Sequence, residues 1–160
     1  MLEDLLFKEH IRKLYKHNSI EYFYASTENC AKISINEIIK KSKQYIKIYC
    51  SDLIFLDKIY DNIVYKNKYL PINIVVKDNL NISNKYYQKN NEYNITLYLI
   101  DDNSKSILNK YNCHVNFIVS DDKMFLIETD TSNKKYIGNF NNEITTKHLT
   151  KKFNELLINY

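Results

Sequence analysis

Cys113-His114-Val115-Asn116-Phe117-Ile118-Val119-Ser120-Asp121-Asp122 is an apolar, β-branched run that carries a histidine and an asparagine and closes on two acids. Successive side chains of a strand point to opposite faces. His114 and Asn116 therefore share one face, and Val115, Phe117 and Val119 share the other. Asp121 falls in the turn that follows. Two more β-like runs come next, Lys123 to Glu128 and Tyr136 to Phe140. Ser120-Asp121-Asp122 and Ser132-Asn133 join the three as turn residues.

Upstream, strand-like and helix-like stretches alternate. Leu2, Leu5, Leu6, Ile11 and Leu14 approximate one helix face over residues 2–17. Residues 20–25 read as a short aromatic strand. Ser26 and Thr27 offer N-caps for a helix reaching about Lys43, with Ala31, Ile35, Ile38 and Ile39 along one side. Tyr45 to Cys50 reads as a strand and Leu53 to Tyr65 as a helix. Pro71 opens a strand over Ile72 to Val76, where its missing N–H is tolerated. Asp78 to Asn94 is polar and Asn-rich, and is expected to hold a short helix with loops. Ile95 to Ile100 is apolar again, and a short helix is expected at Ser104 to Asn109. A helix from Glu143 to Ile158 closes the chain, with Leu149, Phe153, Leu156 and Leu157 on one side.

The expected fold is therefore α/β: a mixed, mostly parallel sheet flanked by helices on both faces, with antiparallel pairing among the late strands. Residues 1–18 form an N-terminal helix, read either as an interaction element or as an ordinary core helix. Residues 19–160 form the domain proper.

Over residues 20–158 the chain resembles the phospholipase D superfamily, most closely its small single-motif nuclease members. The signature of that family is His-x-Lys, four residues, then Asp. Here it reads His114-Val115-Asn116, four residues, then Asp121. The Ile38-Ile39 helix running into the Tyr45–Cys50 strand and the closing amphipathic helix fit the same order. The resemblance implies the architecture of a phospholipase D-like half. It also implies metal-independent phosphodiester chemistry by two histidines, one attacking phosphorus and the other protonating the leaving oxygen. His114 would be the nucleophile or the acid, and a homodimer would bring the second copy. Sensor domains of some transcription regulators share the architecture, so the fold alone does not fix the chemistry.

The chain departs from the family pattern at two places. Asn116 replaces the lysine, so it can hydrogen-bond to phosphate but brings no charge. The family's Gly-Ser-x-Asn patch falls on Glu128-Thr129-Asp130-Thr131, which puts a carboxylate where a small glycine belongs. Two like charges about 4 Å apart cost roughly 4 kcal/mol at an intermediate dielectric, enough to offset much of one phosphate ligand. His114, Asn116, Asp121 and Glu128 are thus the candidate catalytic positions. Thr129, Thr131, Lys123, Lys134 and Lys135 are candidate ligand-binding positions, the lysines as sources of the missing charge. The plain alternative is that His114 is a strand histidine bonded to Glu128 or Asp121.

The rest of the composition narrows the classes. One glycine, Gly138, excludes phosphate loops and dinucleotide fingerprints, which need several. Arg12 is the lone arginine, so bidentate reading of phosphate or guanine is disfavoured. The net charge of +4 is mildly basic. Lys, Asn, Ile and Tyr, all with AT-rich codons, are heavily used, which lowers the weight of Lys- and Asn-based patterns. Cys30, Cys50 and Cys113 make no CxxC pair and read as free thiols. No metal and no cofactor are expected. His10 and His17, His148, Asp101-Asp102 and Asp121-Asp122 read as surface and turn residues. Lys85-Tyr86-Tyr87-Gln88-Lys89 is a basic-aromatic patch that either stacks bases or is a solvated helix. An acidic start and the lack of a long apolar run point to a cytoplasmic protein with no membrane span.

Three functions follow as expectations. The first is a catalytically degenerate phospholipase D-like domain that binds a phosphate-containing ligand, nucleic acid among them, or serves as an assembly module. The second is a homodimeric, metal-independent phosphodiesterase or nuclease using His114. The third is an interaction subunit of a regulatory or defence complex with a protein partner.

Overall fold

Alternation of apolar strands with one-sided helices leaves each strand two faces to cover, and the chain covers them unequally. The computed structural model describes residues 1–63, 68–77, 82–100 and 115–158. In chain order these form α1 (Leu2–Lys16), β1 (Phe23–Ala25), α2 (Glu28–Lys41), β2 (Ile46–Cys50), α3 (Leu53–Ile63), β3 (Ile72–Lys77) and α4 (Asn84–Glu92). They continue as β4 (Ile95–Ile100), β5 (Phe117–Ser120), β6 (Met124–Asp130), β7 (Lys135–Asn139) and the closing helix, here α5 (Glu143–Ile158).

One seven-stranded sheet runs in the order β1-β7-β6-β5-β2-β3-β4. β2-β3 and β3-β4 pair in parallel, and the other four pairings are antiparallel. The mixed α/β class is as expected, but most pairings are antiparallel where a mostly parallel sheet was expected, because parallel pairing is confined to the part where helices alternate with strands. The late strands β5, β6 and β7 are joined by tight turns, and such turns connect only antiparallel neighbours. β5 docks antiparallel on β2, with Ile48 opposite Ile118.

The alternation of side chains divides the core. Ile46, Ile48, Cys50, Ile74, Val76, Ile118, Met124 and Leu126 face one way and pack with α1, α2 and α3. Tyr49, Val75, Phe117, Val119 and Phe125 face the other way, against Leu149, Phe153 and Leu156 of α5. Phe117 and Val119 thus lie on the face expected of them. Helix α2 starts at Thr27, whose hydroxyl accepts the Cys30 N–H at 3.1 Å, a standard N-cap. Cys30 and Cys50 are buried free thiols, and His10, His17 and His148 are exposed.

Helix α1 is held at its C-terminal half. Ile11 and Leu14 are buried in the main core, and Arg12 places both Nε and Nη2 on Glu37 Oε1, at 2.9 and 2.8 Å. Its first turns leave Leu2, Leu5 and Leu6 exposed. Gly138 lies opposite Phe23 in the β1–β7 pair. A Cβ there would stand 2.2 Å from Phe23 Cζ and 3.0 Å from the Phe125 carbonyl oxygen, so the buried Phe23 ring occupies the space any larger residue would need.

Two elements differ from the sequence reading. β1 is three residues long instead of spanning 20–25. The Ile20 carbonyl is taken by the Asn139 side chain at 2.8 Å, which replaces a strand partner. β6 runs on past Glu128 to Asp130, with a register irregularity between the two. The expected helix at Ser104 to Asn109, the end of the Leu53–Tyr65 helix, Asp101-Asp102, Cys113 and His114 lie outside the described residues.

Candidate functional site

The segment that carries the sequence signature enters the sheet between β2 and β6. Tyr49 pairs with Phe117, and Phe117 with Ile127. Asn116, one residue earlier, therefore sits between the end of β2 and Glu128. It turns to the α2–α3 side of the sheet, as the alternation of β5 requires. It is wholly buried. Its Oδ1 accepts the Ser51 N–H at 2.7 Å and the Ser51 hydroxyl at 3.1 Å. Its Nδ2 donates to Asp52 Oδ2 at 2.8 Å and to Glu128 Oε2 at 2.9 Å. The Asn116 backbone N–H adds a bond to Glu128 Oε2 at 3.2 Å.

Asp52 is the residue that joins the parts. One carboxylate oxygen accepts the Phe55 N–H at 2.7 Å and caps α3. The other takes Asn116 and the Lys134 ammonium, the latter at 2.9 Å. Lys134 also lies 3.3 Å from Glu128 Oε1. It reaches both acids from the β6–β7 hairpin with a left-handed backbone, φ 52°. Burial opposes the charge on Asp52, but the bonds from Asn116, Lys134 and the Phe55 N–H outweigh it and hold the carboxyl below its ordinary value. Burial likewise opposes the Lys134 charge, and Asp52 and Glu128 reverse the balance and raise its pKa. The buried Tyr136 phenol is pushed far up, first by burial and then by the charges of Glu128 and Asp52. Among the described residues, two carboxylates face one ammonium here, an excess of negative charge.

The structure brings together three of the expected positions, Asn116, Glu128 and Lys134. It adds two that the sequence reading passed over, Ser51 and Asp52. The signal for Asp52 was its place directly before an apolar helix, which marks a cap but not a partner of Asn116. Asp121 is elsewhere. It follows the far end of β5, roughly 16 Å along the strand from Asn116. There its carboxylate accepts the backbone N–H groups of Lys43, Gln44 and Tyr45 at 2.7, 2.9 and 3.2 Å. Asp121 thus fastens the α2–β2 loop to the β5–β6 turn.

Lys123 lies in that same turn, away from Asn116, and its N–H bonds the Ser120 carbonyl at 3.2 Å. Thr129 follows Glu128 in the strand and is exposed, its hydroxyl donating to the Lys135 carbonyl at 3.3 Å. Thr131 and Lys135 are exposed in the next hairpin. Asp130 organises that hairpin by accepting the N–H groups of Ser132 and Asn133, each at 3.0 Å.

In the basic-aromatic patch on α4, Tyr86 is buried and the two lysines are bonded, while Tyr87 and Gln88 are exposed. Lys85 and the Tyr86 hydroxyl both bond Asp57 at 2.7 Å, Tyr86 packs edge-on against Tyr60 with ring centroids 4.9 Å apart, and Lys89 bonds the Tyr60 carbonyl at 3.2 Å. No helix among the described residues is long and apolar enough to cross a membrane.

The seven-stranded mixed sheet with helices on both faces has a phospholipase D-like fold. Solved structures bear this out. The chain superposes on Nuc from Salmonella typhimurium, a phospholipase D family member, with a TM-score of 0.59, 12% identity, and coverage of 87% of this chain and 93% of Nuc. NucT from Helicobacter pylori gives a TM-score of 0.57 at 12% identity, covering 86% of this chain and 94% of NucT. TrmBL2, an archaeal chromatin protein described with a novel mode of DNA binding, gives 0.62 at 12% identity over 96% of this chain. The chain spans 56% of the length of TrmBL2. No protein-family profile matches the chain, and no curated protein matches it in sequence.

Proposed function

We propose that this chain is a phospholipase D-like domain that has lost hydrolysis and serves as a binding or assembly module, with nucleic acid as its phosphate-bearing ligand. The observation that carries the loss is the Asn116 amide. By the spacing of the motif it answers to the lysine with which the family holds phosphate. Both ends of the amide are spent on Ser51, Asp52 and Glu128, and none of it is exposed. Among the described residues the cation beside it is Lys134, and it is engaged by two carboxylates. A phosphate entering there would meet more negative than positive charge, with no free donor from Asn116 to receive it. Nucleic acid is favoured as the ligand by the net charge of +4 and by the likeness to a chromatin protein that binds DNA.

The test is cleavage of labelled single- and double-stranded DNA and RNA in chelator, with wild type and His114→Ala at matched oligomeric state. Neither protein should cleave, and binding to DNA should weaken steadily as salt is raised. Cleavage by wild type that vanishes in His114→Ala would replace this reading with a homodimeric, metal-independent phosphodiesterase. Absence of nucleic-acid binding at low salt would remove nucleic acid as the ligand.

A protein-partner role has an observation of its own. The first turns of α1 expose Leu2, Leu5 and Leu6, whereas Ile11 and Leu14 tie its second half into the core. Residues 1–18 thus offer an apolar tip on a fixed base. Replacing the three leucines by glutamate should abolish capture of a partner without lowering the melting temperature, whereas removing the helix outright would open the core.

A further inference from the structure

The helical layer holds a second collection of charge, unconnected with the Asn116 cluster. Between α1, α2 and α3 lies a cleft of about 470 Å³. Four of its lining side chains are lysines contributed by all three helices: Lys8, Lys32, Lys40 and Lys58. Two carboxylates lie among them, Glu37 and Asp61, and Glu37 is already neutralised by Arg12 at 2.8 Å. The walls therefore carry more ammonium than carboxylate.

Lys58 is the informative member. It sits in the middle of α3 with a side chain only 8% exposed. A buried ammonium ordinarily has hydrogen bonds or a close carboxylate. Among the described residues the nearest carboxylate to Lys58 Nζ is Glu28, at 3.9 Å. Glu28 is itself 64% exposed and lies closer to Lys32, at 3.2 Å. The Lys58 charge is thus held at the cleft wall and answered, among the described residues, only by a distant, exposed carboxylate that Lys32 engages more closely. Asn62 steadies that wall, its amide nitrogen bonding the Lys58 carbonyl at 2.7 Å and its oxygen accepting from Asn36 at 2.5 Å. Ile33 supplies an apolar patch beside them.

We infer that this cleft is a binding site for a small phosphorylated molecule, whose phosphate answers Lys58, Lys32 and Lys8 and whose remainder lies against Ile33 and Asn36. Phosphate fits because several lysines can act as separate point charges around one polyanion, without the bidentate geometry that arginine supplies. A small molecule fits because the space is a cleft of ordinary ligand size walled by helices, and not an extended basic stripe. The site shares no residue with the Asn116 cluster, so it stands or falls independently of the lost hydrolysis.

Calorimetric titration with inorganic pyrophosphate tests it, using wild type, Lys58→Met, Lys8→Gln and Lys151→Met. Lys58→Met keeps the buried length and removes only the charge. Lys151 lies on α5, across the sheet, and controls for net charge. Wild type should bind, Lys58→Met should weaken binding by about tenfold or more, and Lys151→Met by less than about twofold. Should Lys58→Met fail to fold, Lys8→Gln at the cleft rim is expected to weaken binding severalfold with an unchanged melting temperature. Absence of heat in wild type, or equal weakening in the Lys8 or Lys58 variant and the Lys151 control, would overturn the site. A single-stranded oligonucleotide that binds and depends on Lys58 more steeply than pyrophosphate does would overturn the small-molecule assignment.

Discussion

Asp121 and Asp52 show how little a residue's spacing says about its partners. Asp121 fits the family signature by position, yet its carboxylate is spent on three backbone N–H groups of the α2–β2 loop. Asp121→Ala should cost about 1–2 kcal/mol, read as a lower urea midpoint with an unchanged slope. Asp52 carries a pH dependence. Its folded pKa lies below the ordinary 3.8, so its stabilisation is present above that value and is lost as pH falls through the folded pKa. Asp52→Asn should therefore flatten the loss of melting temperature as pH falls through and below 3.8. Lys134 works in the opposite sense. Its pKa is raised above 10.5, so its contribution holds below that value and fades as pH rises through the folded pKa.

Elements were legible where they carry their own period. β4 and α5 begin and end where apolar alternation and the spacing of Leu149, Phe153 and Leu156 place them. The site was legible only in part, for a physical reason. Asn116 and Asp52 are 64 residues apart and meet because β5 docks on β2, a pairing no local pattern encodes. The shortening of β1 is also a tertiary effect, since Asn139 takes a carbonyl a longer strand would have used. At the same scale, Arg12 carries the ion pair that joins α1 to α2. Arg12→Ala leaves Glu37, 2% exposed, without its cation, and should cost about 2 kcal/mol once the half-exposed guanidinium is allowed for. Thermal melts of Arg12→Ala against Arg12→Lys would separate loss of charge from loss of the two-donor geometry.

For the whole molecule, the sheet divides two cores of unequal size, and Gly138 lies where β1 must approach β7 closely. Gly138→Ala should lower stability by about 1–3 kcal/mol, because Phe23 is enclosed and cannot swing aside; a denaturant titration would register it. That position is also the one place in 160 residues where glycine is used. The left-handed backbone at Asn18, Asp121, Asp122 and Lys134, where glycine is the usual choice, is taken by residues with side chains. Each accepts some strain when folded. The same choice acts on the disordered chain, since a backbone almost without glycine wanders through fewer conformations and has less freedom to surrender on folding. Part of this domain's stability is thus set by the narrowness of its denatured ensemble and is invisible in any list of native contacts.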